Sequence, residues 1–368
     1  MSRRKVLLGV SGSWILTLTR VGSGLVAMPL YFHYVEAKML GAWMLFVSMS
    51  GFFMVTDLGI AMVFSRELAF KSGERAQTGA AGVQAAADLY ASVSRIYWIM
   101  GAAVFFIGGA LGWAYLGGLD LGEGLSQARQ AWLIYALGTC FVLAGSTPNY
   151  ALQGLGDLGV EALANSLATV LGLAATFAAL HRGGGVLAMA LIFSAQALGT
   201  RLVLTQLLRR RHAWLFEVQG AYVAGTLKKI LKTTLPLFIT RMGALFVFQI
   251  NPLLIAWILG AAALPDYVVL VTLASYGTQL CLALPQSLAP FVAAKQAAGD
   301  REGIRRLLML CVKSGMALQL AYTVSVGLWA GALMQLWLGP GHFLGYGVLG
   351  FWLGWATSTS EPSAVSPI

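Results

Sequence analysis

The chain has 368 residues, of which 58% are hydrophobic and only 10% are charged, whereas soluble domains carry about 25% charged residues. Apolar runs of about 20 residues, the length that crosses roughly 30 Å of hydrocarbon, recur along the whole sequence. These features exclude a soluble enzyme, a nucleic-acid-binding module and a disordered tail.

Glycines, prolines and charged clusters divide the sequence into ten apolar segments, each of which we predict to be a transmembrane helix. The first segment follows a basic start and so imitates a secretory signal, but Arg20 interrupts it and no cleavage site follows, so we expect a retained helix. In chain order the predicted helices cover residues 10–34, 41–65, 94–116, 131–153, 158–180, 185–208, 233–259, 264–293, 304–337 and 343–358.

The net charge of +10 is explained mainly by the loops on one side of these helices. With the N-terminus in the cytoplasm, most of the 24 lysine and arginine residues fall inside, and only Lys38, Arg129 and Arg182 fall in outer loops. This distribution follows the positive-inside rule and predicts a multi-pass membrane protein with a cytoplasmic N-terminus. Anionic lipid headgroups are expected partners of the basic loops, and nucleic acid is not.

The longest basic segment between apolar runs, residues 209–232, divides the chain into two halves. We predict a six-helix bundle over residues 1–208, a cytoplasmic linker over 209–232, and a second bundle over 233–368. A faint repeat relates the halves, since an Arg-x-Gly triplet occurs at Arg20 in the first helix and at Arg241 in the seventh. Two parallel bundles are a known transporter plan. Four predicted helices in the second half lead us to expect an abbreviated or truncated second bundle.

Two arginines are the strongest functional signal in the sequence. Arg20 and Arg241 lie towards the middle of predicted helices, whereas Arg201 lies near enough to a helix end to reach the cytoplasmic surface. Because a central arginine costs about 2.5–3.5 kcal/mol on insertion scales, such residues usually face a bundle interior or a wet cavity. Snorkelling at a helix end or an internal ion pair is the alternative.

Small and polar residues share the helix face of each arginine or form a matching stripe on the eighth predicted helix. We hypothesise that these stripes line an aqueous cavity in which the arginines bind an anionic headgroup such as a pyrophosphate. The alternative is that they serve only helix packing. The candidate substrate-binding residues are Thr17, Arg20, Gly24, Tyr31, Arg241, Gln249, Ser275 and Gln279.

Other chemistry is weakly represented. Asp57 is the one carboxylate near the interior of a predicted helix, so it is the candidate for ion coupling, with local capping or pairing with Arg66 as the alternative. The stretch 154–159 fits a GxGxxG pattern, but no strand precedes it, and we predict a tight turn between two helices. No catalytic residue, metal site or cofactor is predicted, since the histidines and cysteines lack ligand spacing.

The sequence resembles bacterial polysaccharide exporters, the Wzx-type flippases of lipid-linked oligosaccharides such as O-antigen, within the multidrug and oligosaccharidyl-lipid exporter superfamily. The matching motifs follow one another in order over most of the chain. They are Met28–Leu30, Leu40–Trp43, Asp57–Gly59, Ser65–Ala69, Leu152–Gly156, Ala289–Phe291, Gly299–Arg301 and Leu336–Gly339.

This resemblance implies an all-α, MATE-like fold of two helical bundles, here six helices plus an incomplete second bundle. It also implies a non-enzymatic flippase in the bacterial inner membrane that moves an undecaprenyl-pyrophosphate-linked oligosaccharide to the periplasmic leaflet by alternating access. Other glycan-assembly proteins are candidate partners. The alternatives are a drug or small-metabolite antiporter of the same fold, an inactive truncated family member, and a membrane-embedded glycan enzyme, which would need a large outer loop.

Overall fold

The computed structural model describes residues 3–54, 57, 59–223, 225, 249–297 and 300–360 of the chain. All regular secondary structure in these ranges is helical. Within them, six helical stretches are long and apolar enough to cross a membrane. The protein is therefore an all-α multi-pass membrane protein, as predicted.

Thirteen α-helices are described, and five of them (the eighth, the ninth and the last three) match predicted segments within four residues at both ends. They are α1 (Arg3–Tyr34), α2 (Ala37–Met54), α3 (Ile60–Thr78), α4 (Ala80–Ala103), α5 (Gly109–Gly117), α6 (Leu125–Ala144), α7 (Ser146–Gly154), α8 (Leu158–His181), α9 (Val186–Arg211), α10 (Gln249–Ile258), α11 (Leu264–Ala297), α12 (Arg301–Leu338) and α13 (Tyr346–Ser360). A π-helical turn, Val104–Gly108, joins α4 to α5.

One predicted helix is wrong because it is divided in the structure. The segment 41–65 contains the end of α2 and the start of α3, and Gly59 before α3 has a φ of 73°, in the left-handed region. The segment 131–153 lies within one candidate membrane-spanning stretch, Gly122–Gly154, which has a turn at Gly145. Pro148 in the first turn of α7 has no N–H to donate to Ala144. Both features fall within continuous apolar sequence, where hydropathy alone does not reveal them.

The predicted turn at 154–159 is confirmed. Gly156, between α7 and α8, has a φ of 83°, and the Asp157 N–H donates to the Leu152 carbonyl over 2.8 Å. The Asp157 carboxylate is 7% exposed and lies 2.9 Å from His212 Nε2 and 3.3 Å from Arg211 Nη1. This acidic residue therefore ties the start of α8 to the end of α9.

Contacts divide the chain into two compact units. The terminal unit consists of Met1–His33 with Pro265–Ile368, and the central unit consists of Tyr34–Leu264. The boundary of these units does not fall in the predicted linker, 209–232, and the division into two bundles stays a prediction.

Aromatic side chains fill part of the central unit. Trp132 on α6 is fully buried, and its indole N–H donates to the Gly109 carbonyl over 2.9 Å. The Trp132 ring lies 5.4 Å from the Phe46 ring and 6.2 Å from the Tyr135 ring. Helices α2, α5 and α6 are held together by this cluster.

The terminal unit joins α1 to the C-terminal helices. The Trp337 indole N–H on α12 donates to the Leu25 carbonyl on α1 over 2.7 Å. Asp300 caps α12, since its carboxylate accepts from the Gly303 N–H over 2.8 Å. His342, before α13, lies 2.8 Å from the carboxylate of Asp266 on α11. Helix α1 is thus part of a unit whose other helices follow residue 264.

We predict that Gly41→Ala destabilises the central unit. A β-carbon at residue 41 would lie 1.8 Å from the carbonyl oxygen of Ala261, and backbone cannot move aside as a flexible side chain can. We expect a loss of about 1–3 kcal/mol, the usual cost of overpacking, measured as a lower unfolding midpoint of the purified protein. Gly315→Ala is the matched control, since no atom lies within 4 Å of its added carbon. Equal midpoints for both variants would contradict the close approach.

Candidate functional site

Arg20 lies in the middle of α1. It is 17 residues from Arg3 and 14 from Tyr34, which places it about 26 Å and 21 Å from the two helix ends. Its side chain is exposed, and within the described part of the chain its guanidinium makes no hydrogen bond or ion pair. A charge at this position in an apolar helix needs water or an anionic group around it.

The two faces of α1 differ in chemistry. Thr17, Gly24 and Tyr31 share the Arg20 face, and all three are partly buried. The opposite face carries Leu18, which is 56% exposed, with other exposed apolar side chains. The second face suits lipid, whereas the Arg20 face suits water and polar ligands.

The structure brings the Arg20 face of α1 to the polar stripe of α11. A β-carbon at Gly24 would lie 2.3 Å from the hydroxyl oxygen of Tyr276, which is 6% exposed. Ser275 is the neighbour of that tyrosine, and Gln279 follows one turn later with an exposed side chain. Gly24 therefore allows a close approach of the two helices that carry six of the predicted site residues. Those six are Thr17, Arg20, Gly24, Tyr31, Ser275 and Gln279.

The two remaining predicted substrate-binding residues, Gln249 and Arg241, do not belong to the described part of the terminal unit. Gln249 opens the described part of α10 in the central unit, where its amide lies against Gly51 of α2. Arg241 lies outside the described residues. The predicted pairing of two arginines at one headgroup thus stays a prediction.

Asp57 lies in the break between α2 and α3. Its carboxylate accepts a hydrogen bond from the hydroxyl of Tyr97 on α4, and Tyr97 is fully buried. The Tyr97 ring in turn lies 6.5 Å from the Tyr150 ring of α7. A role of Asp57 in ion coupling stays a prediction, but its side chain does contact the interior of the central unit.

The sequence analysis missed that the carboxylate of Glu161 is buried, like that of Asp157. Glu161 is 4% exposed, and Asn165 Nδ2 donates to its Oε1 over 2.7 Å and to Asn149 Oδ1 over 2.9 Å. Glu161 lies in the first turn of α8, and Asn149 of α7 lies beside that turn, in contact with Asn165. Asn165 one turn later was the available signal, since two polar side chains at this spacing share a helix face.

Arg201 does not reach the helix end as predicted. It lies ten residues before Arg211, or about 15 Å along α9. Its guanidinium lies 3.8 Å from the centre of the Trp98 ring, and its Nη1 is buried without a hydrogen-bond partner among the described residues. The aromatic face, rather than the membrane surface, provides its environment because the side chain points into the central unit.

Comparison of the fold with solved structures identifies a transporter architecture. An outward-facing multidrug resistance MATE family transporter of the MOP superfamily is similar, with a TM-score of 0.67 at 17% identity, over 97% of this chain and 79% of that one. The inward-facing conformation of a multidrug resistance MATE family transporter is also similar, with a TM-score of 0.67 at 17% identity. That match covers 96% of this chain and 79% of the transporter. A MOP superfamily transporter from Pyrococcus furiosus is similar as well, with a TM-score of 0.65 at 16% identity, over 96% of this chain and 77% of that one. That transporter is described as having a binding pocket of reverse polarity that suggests a different function.

These likenesses establish the MATE-like fold of membrane transporters. The family model for polysaccharide biosynthesis proteins matches residues 9–294, more than three quarters of the chain, and the protein belongs to this family. Comparison with curated protein sequences finds no match.

The contact between Gly24 of α1 and Tyr276 of α11 can be tested with two substitutions, the second of which should compensate for the first. Gly24→Ala should destabilise the terminal unit and reduce transport, because the added carbon would lie 2.3 Å from the Tyr276 hydroxyl oxygen. Tyr276→Phe removes that oxygen, and the next ring atom is 3.4 Å away, an ordinary contact. The double variant should therefore recover stability and transport.

The measurement is a double-mutant cycle on the unfolding midpoint and on transport. Tyr276→Phe alone serves as the control. Additive effects of the two substitutions would contradict the contact.

Proposed function

We propose that the protein is a flippase that moves an undecaprenyl-pyrophosphate-linked oligosaccharide from the cytoplasmic to the periplasmic leaflet of the bacterial inner membrane. The N-terminus would be cytoplasmic, as the positive-inside distribution favours. Transport would proceed by alternating access, with the lipid tail remaining in the bilayer and no covalent change in the substrate.

The exposed Arg20 guanidinium is the observation that carries this proposal. A pyrophosphate is the most highly charged part of a lipid-linked sugar, and it must leave water to cross the hydrocarbon. Guanidinium remains charged and donates in parallel to two phosphate oxygens, so it substitutes for part of the lost hydration. Membership of a polysaccharide biosynthesis family supports a glycan-linked substrate.

The surrounding residues suit the rest of the substrate. Hydroxyl and amide groups of Thr17, Ser275 and Gln279 offer donors and acceptors to sugar hydroxyls, and the Arg20 face is distinct from the lipid-suited face. In this proposal the arginines bind the pyrophosphate and the stripes solvate the sugars. Arg241 would supply the second guanidinium.

Substitution of Arg20 tests this role. In a host deleted for its own flippase, Arg20→Ala should reduce restored surface glycan by about 10- to 100-fold, as expected when charge-assisted hydrogen bonds worth about 1.5–3 kcal/mol are lost. Arg20→Lys should retain more activity, because a lysine keeps the charge but loses the bidentate geometry.

Lys313→Ala is the matched control, since Lys313 is also an exposed cation on a candidate membrane-spanning helix. It should leave surface glycan unchanged. Full activity of both Arg20 variants at normal membrane levels would remove the headgroup role. No restored glycan from the unaltered chain, despite correct insertion, would favour the inactive family member.

A drug or small-metabolite antiporter of the same fold is the second candidate. Carboxylates inside the protein favour it, and the central unit has the buried Glu161 and the partly buried Asp57. The same strains separate the two functions, because an antiporter raises drug tolerance without restoring surface glycan. In that case Glu161→Gln should abolish the drug tolerance, whereas a flippase would restore glycan and leave tolerance unchanged.

A further inference from the structure

A groove runs between α8 and α9 in the central unit. It has a volume of about 410 Å³, and most of its lining side chains are alanine, glycine or aliphatic. Gln196 and Thr200 are its polar members. The lining residues are Ala164, Leu167, Ala168, Leu171, Gly172, Ala175, Ile192, Ala195, Gln196, Gly199, Thr200 and Val203.

The groove lies at the depth of the hydrocarbon. Both of its helices are candidate membrane spans, and it occupies their middle turns. Large apolar side chains on its rim are exposed, with Leu167 at 61%, Leu171 at 59% and Val203 at 52%. Its occupant must therefore be apolar.

The length of the groove suits an extended hydrocarbon chain. From Ala164 to Ala175 the groove extends about 16 Å along α8, at 1.5 Å per residue. Its lining of small and aliphatic side chains offers an apolar surface over that whole length.

Gln196 distinguishes between kinds of chain. Its side chain reaches across to α8, since a β-carbon at Gly172 would lie 1.9 Å from its Oε1. In the part of the chain that the structure describes, no hydrogen bond to this amide is found. A chain with regularly spaced double bonds offers this amide weak hydrogen-bond acceptors that a saturated chain lacks.

The basic end of α9 provides charge complementarity. Arg210 follows Val203 by seven residues, or about 10 Å, and its side chain is exposed. Arg209 and Arg211 flank it. A chain lying in the groove could therefore place a phosphate at the arginines, where the anionic headgroup of a lipid is favoured.

We propose that the α8–α9 groove binds the isoprenoid chain of a polyprenyl-phosphate-linked lipid, with its phosphate at Arg210. This inference rests on the proposed function and names an entry site for that substrate. The groove holds the tail at the membrane-facing surface of the central unit while the headgroup is still on the basic side.

The test uses undecaprenyl phosphate that carries a photoreactive group on its tail. The purified full chain in phosphatidylcholine nanodiscs is irradiated, and labelled peptides are identified by mass spectrometry. We expect labelling of α8 and α9. Gly199→Phe should reduce it at least tenfold, because no atom lies within 4 Å of a β-carbon there and the ring would fill the groove.

Gly327→Phe on α12 is the matched control, since its added carbon is equally free of contacts, and it should leave labelling unchanged. Unlabelled undecaprenyl phosphate should compete at least fivefold better than phosphatidylglycerol. Gln196→Leu should reduce that preference, and Arg210→Ala should weaken labelling by both lipids.

Three results would overturn the proposal. They are undiminished labelling of Gly199→Phe, equal competition by phosphatidylglycerol, and covalent dimers that Gly199→Phe abolishes, which would indicate a second copy in the groove. Surface glycan is scored separately in the deleted host. Groove labelling without restored glycan would contradict the proposed flippase function and support lipid binding in the groove. Restored glycan with undiminished labelling of Gly199→Phe would support the flippase function and contradict lipid binding in the groove.

Discussion

The proposed transport mechanism depends on the free-energy cost of placing one positive charge in an apolar membrane helix. Arg20 lies within the candidate membrane-spanning part of α1, Trp14–Tyr34, six residues or about 9 Å from the first residue of that span. At about 2.5–3.5 kcal/mol on insertion scales, the guanidinium requires water or an anion beside it. The division of α1 into a polar face and an apolar face meets that requirement on one side only.

Close approach at glycines and hydrogen bonds between helices account for part of the packing within each unit. In a bilayer, burial of apolar side chains contributes little to association between helices, so small residues and interhelical hydrogen bonds decide where helices meet. Gly24 admits the Tyr276 hydroxyl, and Gly41 admits the Ala261 carbonyl. The Trp337 indole bond to the Leu25 carbonyl fixes α1 from another side. Within the terminal unit, α1 is thus positioned by the Gly24 contact, which a β-carbon would prevent, and by the hydrogen bond from Trp337.

Hydropathy predicted the helices well where the membrane alone determines them. Helices α8, α9 and α12 begin and end within three residues of their predicted bounds, because length and apolarity set such limits. The break around Gly59 was missed, because a left-handed glycine within an apolar run leaves hydropathy unchanged. The site was predicted in part. The stripe on α1 followed from helical periodicity, whereas the burial of Glu161 and the contact of Tyr276 with Gly24 arise only from packing between helices.

Solvent access along α1 tests the central claim most directly. In a background in which the buried Cys140, Cys281 and Cys311 are replaced, Thr17→Cys and Leu18→Cys place thiols at nearly the same depth, about 100° apart around the helix. A small, membrane-impermeant, charged thiol reagent should modify Thr17→Cys at least ten times faster, because the Arg20 face meets water and the Leu18 face meets lipid. Unreactive thiols at both positions, or faster reaction at Leu18→Cys, would contradict the account.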